Sequence, residues 1–370
     1  MPAIAWREWM KAAVLREAGK PMTIENVQLD KPGPHEVLIR TAAAGLCHSD
    51  LSFVDGVYPT QMPIVLGHES AGIVEAVGSE VQTVKPGDHV VTCITAYCGH
   101  CNYCLGGRMS LCVSEDTVRS ANEPSRISQN GNDLPQFLKL SSFAEQILTH
   151  EHAVVAIRRD MPLDRAAVIG CAVMTGFGAA VNTAGIRPGD TVAVIGCGGV
   201  GLPAINGAKI AGAGRIIAID MSRGKEALAR DFGATDFICA ADGDPVEAVL
   251  ELTGGGVRHA LECVGRGATM SQSIMMVEPG GTATVVGAAP PSDMVNFPAF
   301  ALLRERRLQG SYLGSNRFPI QIPQIIDLYM QGRLELDKMV TMRLALEEIN
   351  KGFDAMRDGQ VARAVIEFDH

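Results

Sequence analysis

The sequence has no excess of positive charge: 32 lysines and arginines stand against 41 aspartates and glutamates, for a formal net charge of −9. A surface that neutralises nucleic-acid phosphates has to be basic, so no nucleic-acid partner is expected. An uninterrupted apolar run is also missing. The longest apolar region, residues 192–219, is broken by Asn206, Lys209, Arg215 and several glycines. That pattern suits strand, tight turn and buried helix better than a membrane span. No secretory leader is legible, because Arg7, Glu8 and Lys11 interrupt the opening stretch, and the expectation is a cytoplasmic protein with no membrane partner. No segment repeats with the ~20–50-residue period of solenoid arrays.

What remains is a globular chain of 370 residues, 47% hydrophobic and 20% charged. At roughly 100–200 residues per domain it has room for two or three domains. Its ten cysteines would suggest disulfides in a small secreted domain, but in a chain of this size without a leader they point to metal binding or catalysis.

Residues 11–92 consist of short apolar runs at 12–15, 36–40, 72–77 and 88–92, separated by glycine, proline and aspartate. This spacing predicts a strand-rich, barrel-like domain. Residues 113–141 show no clear period and predict a long surface loop. From Asp190 the pattern becomes strand, turn, helix, strand, with strands expected at 191–195, 215–219, 236–239, 257–262, 282–286 and 308–313. Such alternation predicts a doubly wound parallel sheet, an α/β fold. Amphipathic helices are expected at 318–331 and 346–358, and a last strand at 364–368.

Gly196-Cys197-Gly198-Gly199-Val200-Gly201 directly follows an apolar strand and opens a helix, the setting that a dinucleotide fingerprint requires. Gly196 permits the tight turn, Gly198 lets the backbone approach a pyrophosphate, and Gly201 lets helix and strand pack closely. The helix N-terminus then offers free N–H groups to the phosphates. Asp220 ends the next strand, where a carboxylate accepts from ribose hydroxyls and repels a 2′-phosphate, so NAD is preferred. Arg223 and Lys225 follow closely, and Lys225 is counted among the cofactor-binding residues. As cations they keep NADP in play.

Cys98, Cys101, Cys104 and Cys112 place four thiols within fifteen positions. Four thiolates make a closed tetrahedral zinc site with no room for water, and a redox dithiol is the other chemistry such spacing serves. A second group is dispersed: Cys47 within Gly45-Leu-Cys-His-Ser-Asp50, His68 within Gly67-His-Glu69, and Cys171 within Gly170-Cys-Ala-Val-Met-Thr175. Two cysteines and a histidine are one ligand set for a catalytic zinc. Spacing alone does not join them.

The order and distances of Gly67-His-Glu69, the four-cysteine lobe, Gly170-Cys171 with Thr175-Gly176, and Gly196–Gly201 resemble the zinc-containing medium-chain alcohol dehydrogenases over essentially the whole chain. Segment 113–141 resembles the longer subgroup of liver-type and glutathione-dependent formaldehyde dehydrogenases. The resemblance implies two zinc ions per chain. Cys47, His68 and Cys171 would hold the catalytic ion, and Cys98, Cys101, Cys104 and Cys112 the structural one. It also implies that Ser49 bonds the substrate oxygen and starts a proton relay, that Asp50 orients His68, and that Glu69 lies behind the zinc. His48 and Arg363 would contact the pyrophosphate, and Thr175 and Val200 the nicotinamide.

One departure is Ser52, where liver-type enzymes complete the relay with histidine, leaving solvent or His48 as its end. Another is Ile94, where many relatives place an aromatic ring, which implies a reshaped substrate pocket. The implied architecture is a β-rich, GroES-like catalytic domain from 1–177 and 317–370, with its zinc lobe at 93–113, and a Rossmann NAD-binding domain at 178–316. In the family the active site lies between such domains, and long-form members are commonly homodimers. The implied activity is reversible oxidation of a primary aliphatic or aryl alcohol, a small-molecule substrate, with NAD. A thiol-adduct (S-hydroxymethyl) formaldehyde dehydrogenase is the alternative within the class, and a non-catalytic nucleotide-binding scaffold the alternative outside it.

Overall fold

Alternating apolar and polar positions build two sheets in the first of two units. The computed structural model describes residues 9–120 and 122–369; Arg7 and Glu8, used above against a leader, lie outside them. This unit spans residues up to Cys171 together with Arg317–Asp327 and Val340 onward. A five-stranded sheet runs in the order Ile64–Val65, Trp9–Leu15, Thr23–Leu29, Ile127–Gln129, Asn132–Leu134. The larger sheet orders Val154–Ile157, His89–Thr92, Glu69–Val77, Glu36–Gly45, Arg363–Glu367 and Val340–Leu344, with Gln146–His150 also paired to Glu36–Gly45. All pairings in these sheets are antiparallel except Val340–Leu344 with Arg363–Glu367. Leu46, Leu51, Leu66, Phe137, Phe143, Phe353 and Ile366 form one buried core beneath them, so the chain's C-terminal strand is tied into a core begun by its N-terminal third.

The second unit comprises Ala172–Asn316 and Leu328–Met339. Its six strands are all parallel, in the order Asp236–Cys239, Arg215–Asp220, Thr191–Ile195, Val257–Glu262, Val277–Val285, Arg307–Gly310. They read as near-continuous Val, Ile and Ala because helices cover both faces. Ala193, Ile195, Ile217, Ile219, Ala260 and Ala283 are buried in one cluster. The chain first winds from Thr191–Ile195 to one edge, then returns to lay Val257–Glu262 on the opposite side. Ligands bind at such a reversal, outside the carboxyl ends of the two central strands.

The expectation of a long loop over 113–141 is corrected. Ile127–Gln129 and Asn132–Leu134 form a hairpin, with Ser128 opposite Asp133, and Ile127–Gln129 pairs in turn with Thr23–Leu29. The signal was Asn130-Gly131. Both residues have positive φ, 51° and 77°, as a two-residue hairpin turn demands. The strand expected at 308–313 is shorter, Arg307–Gly310, and a 3₁₀ turn follows at Leu313–Ser315. The helix expected at 346–358 begins with one 3₁₀ turn and then runs Ile349–Arg357. Among the described residues no helix is long and apolar enough to cross a membrane.

Charge holds the hairpin segment down. Buried Glu36 accepts from Arg126 Nε at 2.7 Å and Arg119 Nε at 3.0 Å, and Arg119 also pairs with Asp30. Burial opposes ionisation of Glu36, but the two guanidinium groups and the Gly33 amide outweigh it, taking its pKa from 4.5 to about 2. A folded-state pKa below the unfolded one stabilises above the unfolded value and loses that contribution as pH falls towards the folded value. Glu36→Gln is therefore expected to cost about 2–3 kcal/mol above pH 5. Melting curves of the two proteins should converge as pH drops from 4.5 towards 2; a gap independent of pH would contradict the assignment.

Candidate functional site

Three distant segments of the first unit meet in one buried cluster. Cys47 is the extended residue that caps the His48–Val54 helix. His68 immediately precedes the Glu69–Val77 strand that Glu69 opens, and Cys171 sits in a wide π turn at Ile169–Val173. One ligand atom from each of Cys47, His68, Glu69 and Cys171 lies within 4.8 Å of the other three, and all four residues are buried. Two glycines make this possible. A Cβ at Gly170 would sit 1.9 Å from Thr92 O, and one at Gly45 only 2.4 Å from Glu69 Oε2. Any other residue would push Cys171 or the Glu69 carboxylate away.

Asp50 organises the donors. Its carboxylate lies 2.9 Å from His68 Nδ1 and accepts from the amides of Cys47 and Gly67, each at 3.2 Å. His68 is thereby left with Nε2 as its ligand atom, the arrangement a metal-bound imidazole requires. Burial pushes the His68 imidazole down, but Asp50 and Cys47 outweigh it and raise its pKa. Burial raises that of Asp50. Of the two thiols, Cys47 ionises first: it accepts from Cys171 and faces Arg363 and His68, and the Cys171 pKa rises in response. Donors that carry protons at neutral pH take up a dication with proton release. Glu69, 0% exposed, has no hydrogen-bond partner at either oxygen among the described residues, and burial raises its pKa to about 8. A soft donor trio with a spare carboxylate behind it fits a four-coordinate zinc with one exchangeable position.

Arg363, expected at a phosphate, is 3% exposed here. Its Nη2 lies 3.4 Å from Glu69 Oε1 and its Nη1 donates to Leu46 O at 2.8 Å. This pairing was not legible in the sequence, since the partners are 294 positions apart and joined only by the Arg363–Glu367 strand lying beside Glu36–Gly45. Exposed His48 and half-buried Ser49 begin the helix after Cys47. Ser52 donates its hydroxyl to His48 O at 3.0 Å, so its proton is committed to backbone. Ile94 is partly buried against Ala96, Leu140 and Ala153.

In the zinc lobe the four sulfurs of Cys98, Cys101, Cys104 and Cys112 lie within 4.8 Å of one another. Cys98–Cys104 and Cys101–Cys112 are each 3.9 Å apart. Sulfurs bonded to one zinc at ~2.3 Å stand about 3.8 Å apart, whereas a disulfide requires ~2.05 Å. The redox-dithiol reading gives way to the metal one, and all ten cysteines are free thiols. Partial burial resists ionisation of Cys98, yet the amides of His100 and Cys101 with the thiols of Cys112 and Cys101 bring its pKa to about 6.

In the second unit, Gly196 has φ 93°. A Cβ on Gly201 would lie 1.7 Å from Gly196 O, while one on Gly198 would meet nothing within 4 Å. The turn is closed at its base and open above Gly198, leaving room for a pyrophosphate. Gly199 and Val200 complete it, and Gly176 meets it: a Cβ there would fall 2.1 Å from Val200 O. Thr175, the residue before Gly176, is 7% exposed, and its hydroxyl has no hydrogen-bond partner among the described residues. Asp220 accepts from Cys197 N at 2.8 Å and Ser222 N at 3.0 Å. Lys225 Nζ lies 3.1 Å from the same carboxylate and Arg223 pairs with Asp242, so both cations that kept NADP in play are already engaged.

Gly198→Ala is expected to melt within about 1 °C of the parent while binding NADH at least tenfold more weakly, because its methyl enters only the phosphate space. Gly201→Ala should instead lower the melting temperature, since its methyl meets backbone. Calorimetry and fluorescence titration of the two variants check both; equal behaviour would contradict this map of the turn.

Residues 33–159 match the alcohol dehydrogenase GroES-like domain, and residues 199–330 the zinc-binding dehydrogenase family. The chain is 39% identical over 366 residues to probable S-(hydroxymethyl)glutathione dehydrogenase 1 of Schizosaccharomyces pombe, covering 97% of each chain. It is 39% identical to alcohol dehydrogenase class-3 of Pisum sativum, over 96% of this chain and 97% of that one. Two solved structures are similar. The alcohol dehydrogenase zinc-binding domain protein from Burkholderia ambifaria has a TM-score of 0.93 at 37% identity, covering 98% of this chain and 99% of that one. Benzyl alcohol dehydrogenase from Acinetobacter calcoaceticus has a TM-score of 0.92 at 32% identity, covering 98% and 100%. With two donor clusters that fit zinc and a glycine turn with Asp220 that fits NAD, the chain belongs to the zinc-containing medium-chain alcohol dehydrogenases, in their long-form subgroup.

Proposed function

We propose that this protein oxidises primary aliphatic or aryl alcohols to aldehydes, reversibly, with NAD as acceptor. The observation that carries the reading is the convergence of Cys47, His68 and Cys171, with Glu69 behind them, next to the Ser49 helix. Zinc and NAD supply, when bound, a Lewis acid for the alcohol oxygen and an acceptor for the hydride. Cys47, His68 and Cys171 would hold the first, while the glycine turn, Asp220 and Lys225 would hold the second; Arg363 is engaged with Glu69 and Leu46 O instead. Thr175 and Val200 would seat the nicotinamide. Ser49 takes the hydroxyl proton of the alcohol and passes it to His48 or solvent, because Ser52 is committed to His48 O. Asp50 keeps His68 in one orientation throughout.

The substrate class rests on charge. All three cations of 113–141 are engaged: Arg119 and Arg126 with Glu36, and Lys139 Nζ with Thr117 Oγ1 at 2.7 Å. The long-form segment therefore has no spare guanidinium for an acidic thiol adduct, and partly buried Ile94 offers an apolar wall. The second reading, oxidation of S-(hydroxymethyl)glutathione, is favoured by the name of the Schizosaccharomyces relative. NADH formation should be followed with ethanol, hexanol, benzyl and cinnamyl alcohols, and with formaldehyde with and without glutathione. Turnover of free alcohols is expected, with Ile94→Phe shifting the size preference; turnover of the adduct alone would install the second reading. Ser49→Ala should lower kcat by about 10²–10⁴ while two zinc ions per chain remain, whereas one zinc per chain in the parent would revive the scaffold reading.

We also propose a cytoplasmic homodimer. Free thiols in both donor clusters suit a reducing compartment. Among the described residues the strand Arg307–Gly310 ends its sheet with no partner on one side, and Met294, Phe300 and Leu303 nearby in sequence are each more than 70% exposed. Sedimentation equilibrium should return twice the chain mass; a monomer at micromolar concentration would reject the assembly.

A further inference from the structure

Glu262 is the last residue of the Val257–Glu262 strand and is 0% exposed. It lies opposite Ile195 in the parallel register, immediately before the Gly196–Gly201 turn. These two strands flank the point where the sheet order reverses. A buried carboxylic acid at the carboxyl end of a central strand is costly, and neither zinc site nor the assigned relay uses it.

Its side-chain contacts are all local. Oε1 accepts from Val264 N at 2.9 Å, Gly265 N at 2.8 Å and Thr269 Oγ1 at 2.8 Å. Its backbone carbonyl accepts from Val286 N at 2.8 Å and Gly287 N at 3.0 Å. The turn so gathered is tightly fitted. Gly265 has φ 83°, and a Cβ there would lie 2.4 Å from Ala288 O; a Cβ at Gly287 would lie 2.2 Å from Gly265 N. Val264 is placed so that a Cβ at Gly196 would fall 2.7 Å from its Cγ2. One oxygen of Glu262 thus fixes a turn whose side chain rests against the turn assigned to the pyrophosphate.

We propose that Glu262 is a positioning residue for NAD, holding residues 263–269 as the wall of the dinucleotide crevice opposite Asp220. Burial raises the Glu262 pKa against the donors from Thr269, Gly265 and Val264, and among the described residues its Oε2 has no hydrogen-bond partner. A neutral carboxyl still accepts at Oε1, so an amide of the same shape reproduces the pattern. An apolar isostere does not, and leaves two amides without partners.

The proposal rests on the NAD-dependent reading above, and the experiment separates the two. NADH binding is titrated by fluorescence in the zinc-loaded wild type, Glu262→Leu and Glu262→Gln, alongside KM for NAD, kcat and melting temperature. Glu262→Leu should raise the NADH Kd and the KM for NAD about tenfold, with kcat at saturating NAD within about twofold of wild type. Glu262→Gln should restore both constants to within about threefold. A folded Glu262→Leu protein with unchanged Kd overturns the proposal, as does an equal loss of kcat and affinity that Gln fails to rescue. A wild type that binds no NADH would instead defeat the NAD-dependent reading itself. If Glu262→Leu does not fold, Thr269→Val decides. Losing one of the three donors should raise the Kd about two- to threefold at an unchanged melting temperature, and no rise overturns the inference.

Discussion

Everything at the candidate active site depends on keeping several ionisable groups together out of water. Two thiols, an imidazole and two carboxylates occupy one buried volume, and an uncompensated charge there would be expensive. The Arg363 guanidinium, 3% exposed and 3.4 Å from Glu69, is the fixed positive charge that makes this tolerable. It favours the thiolate of Cys47 and restrains the rise in the Glu69 pKa. Replacing it by a neutral residue would leave Glu69 and Cys47 facing each other, so its place in the C-terminal strand constrains where that strand can pair.

The same economy recurs at the lobe and at the hairpin segment. The four sulfurs of the lobe stand at separations that a shared ion sets and a disulfide could not, and backbone amides already stabilise the negative charge of Cys98. The hairpin segment is anchored through Glu36, which serves Arg119 and Arg126 at once. Spending those cations internally also removes them from ligand recognition, which links the packing of an apparently peripheral segment to the substrate reading.

In the nucleotide-binding unit the constraint is steric. Close approaches at Gly176 and Gly201 bring helix and turn together, and the open space above Gly198 is what remains for a phosphate. Glu262 and Asp220 then treat the two sides of the crevice differently. Asp220 organises the turn from the strand on one side through Cys197 and Ser222. Glu262 organises the loop from the strand on the other.

The sequence by itself determined the parallel sheet, the glycine turn, the four-cysteine lobe and the chemistry of the dispersed donors, because each is written in contiguous residues or in a period. Asn130-Gly131 was written there too, as a hairpin signal inside a segment without apolar alternation. Strands such as Thr23–Leu29 and Val340–Leu344 were not, since their mixed polar faces acquire meaning only beside a partner strand. Spacing could not join Cys47, His68 and Cys171, nor show that Arg363 faces Glu69, that Lys225 is held by Asp220, or that Glu262 governs a turn. Those facts depend on strand register and on which residues are closed off from water, and both are fixed only when distant parts of the chain pack together.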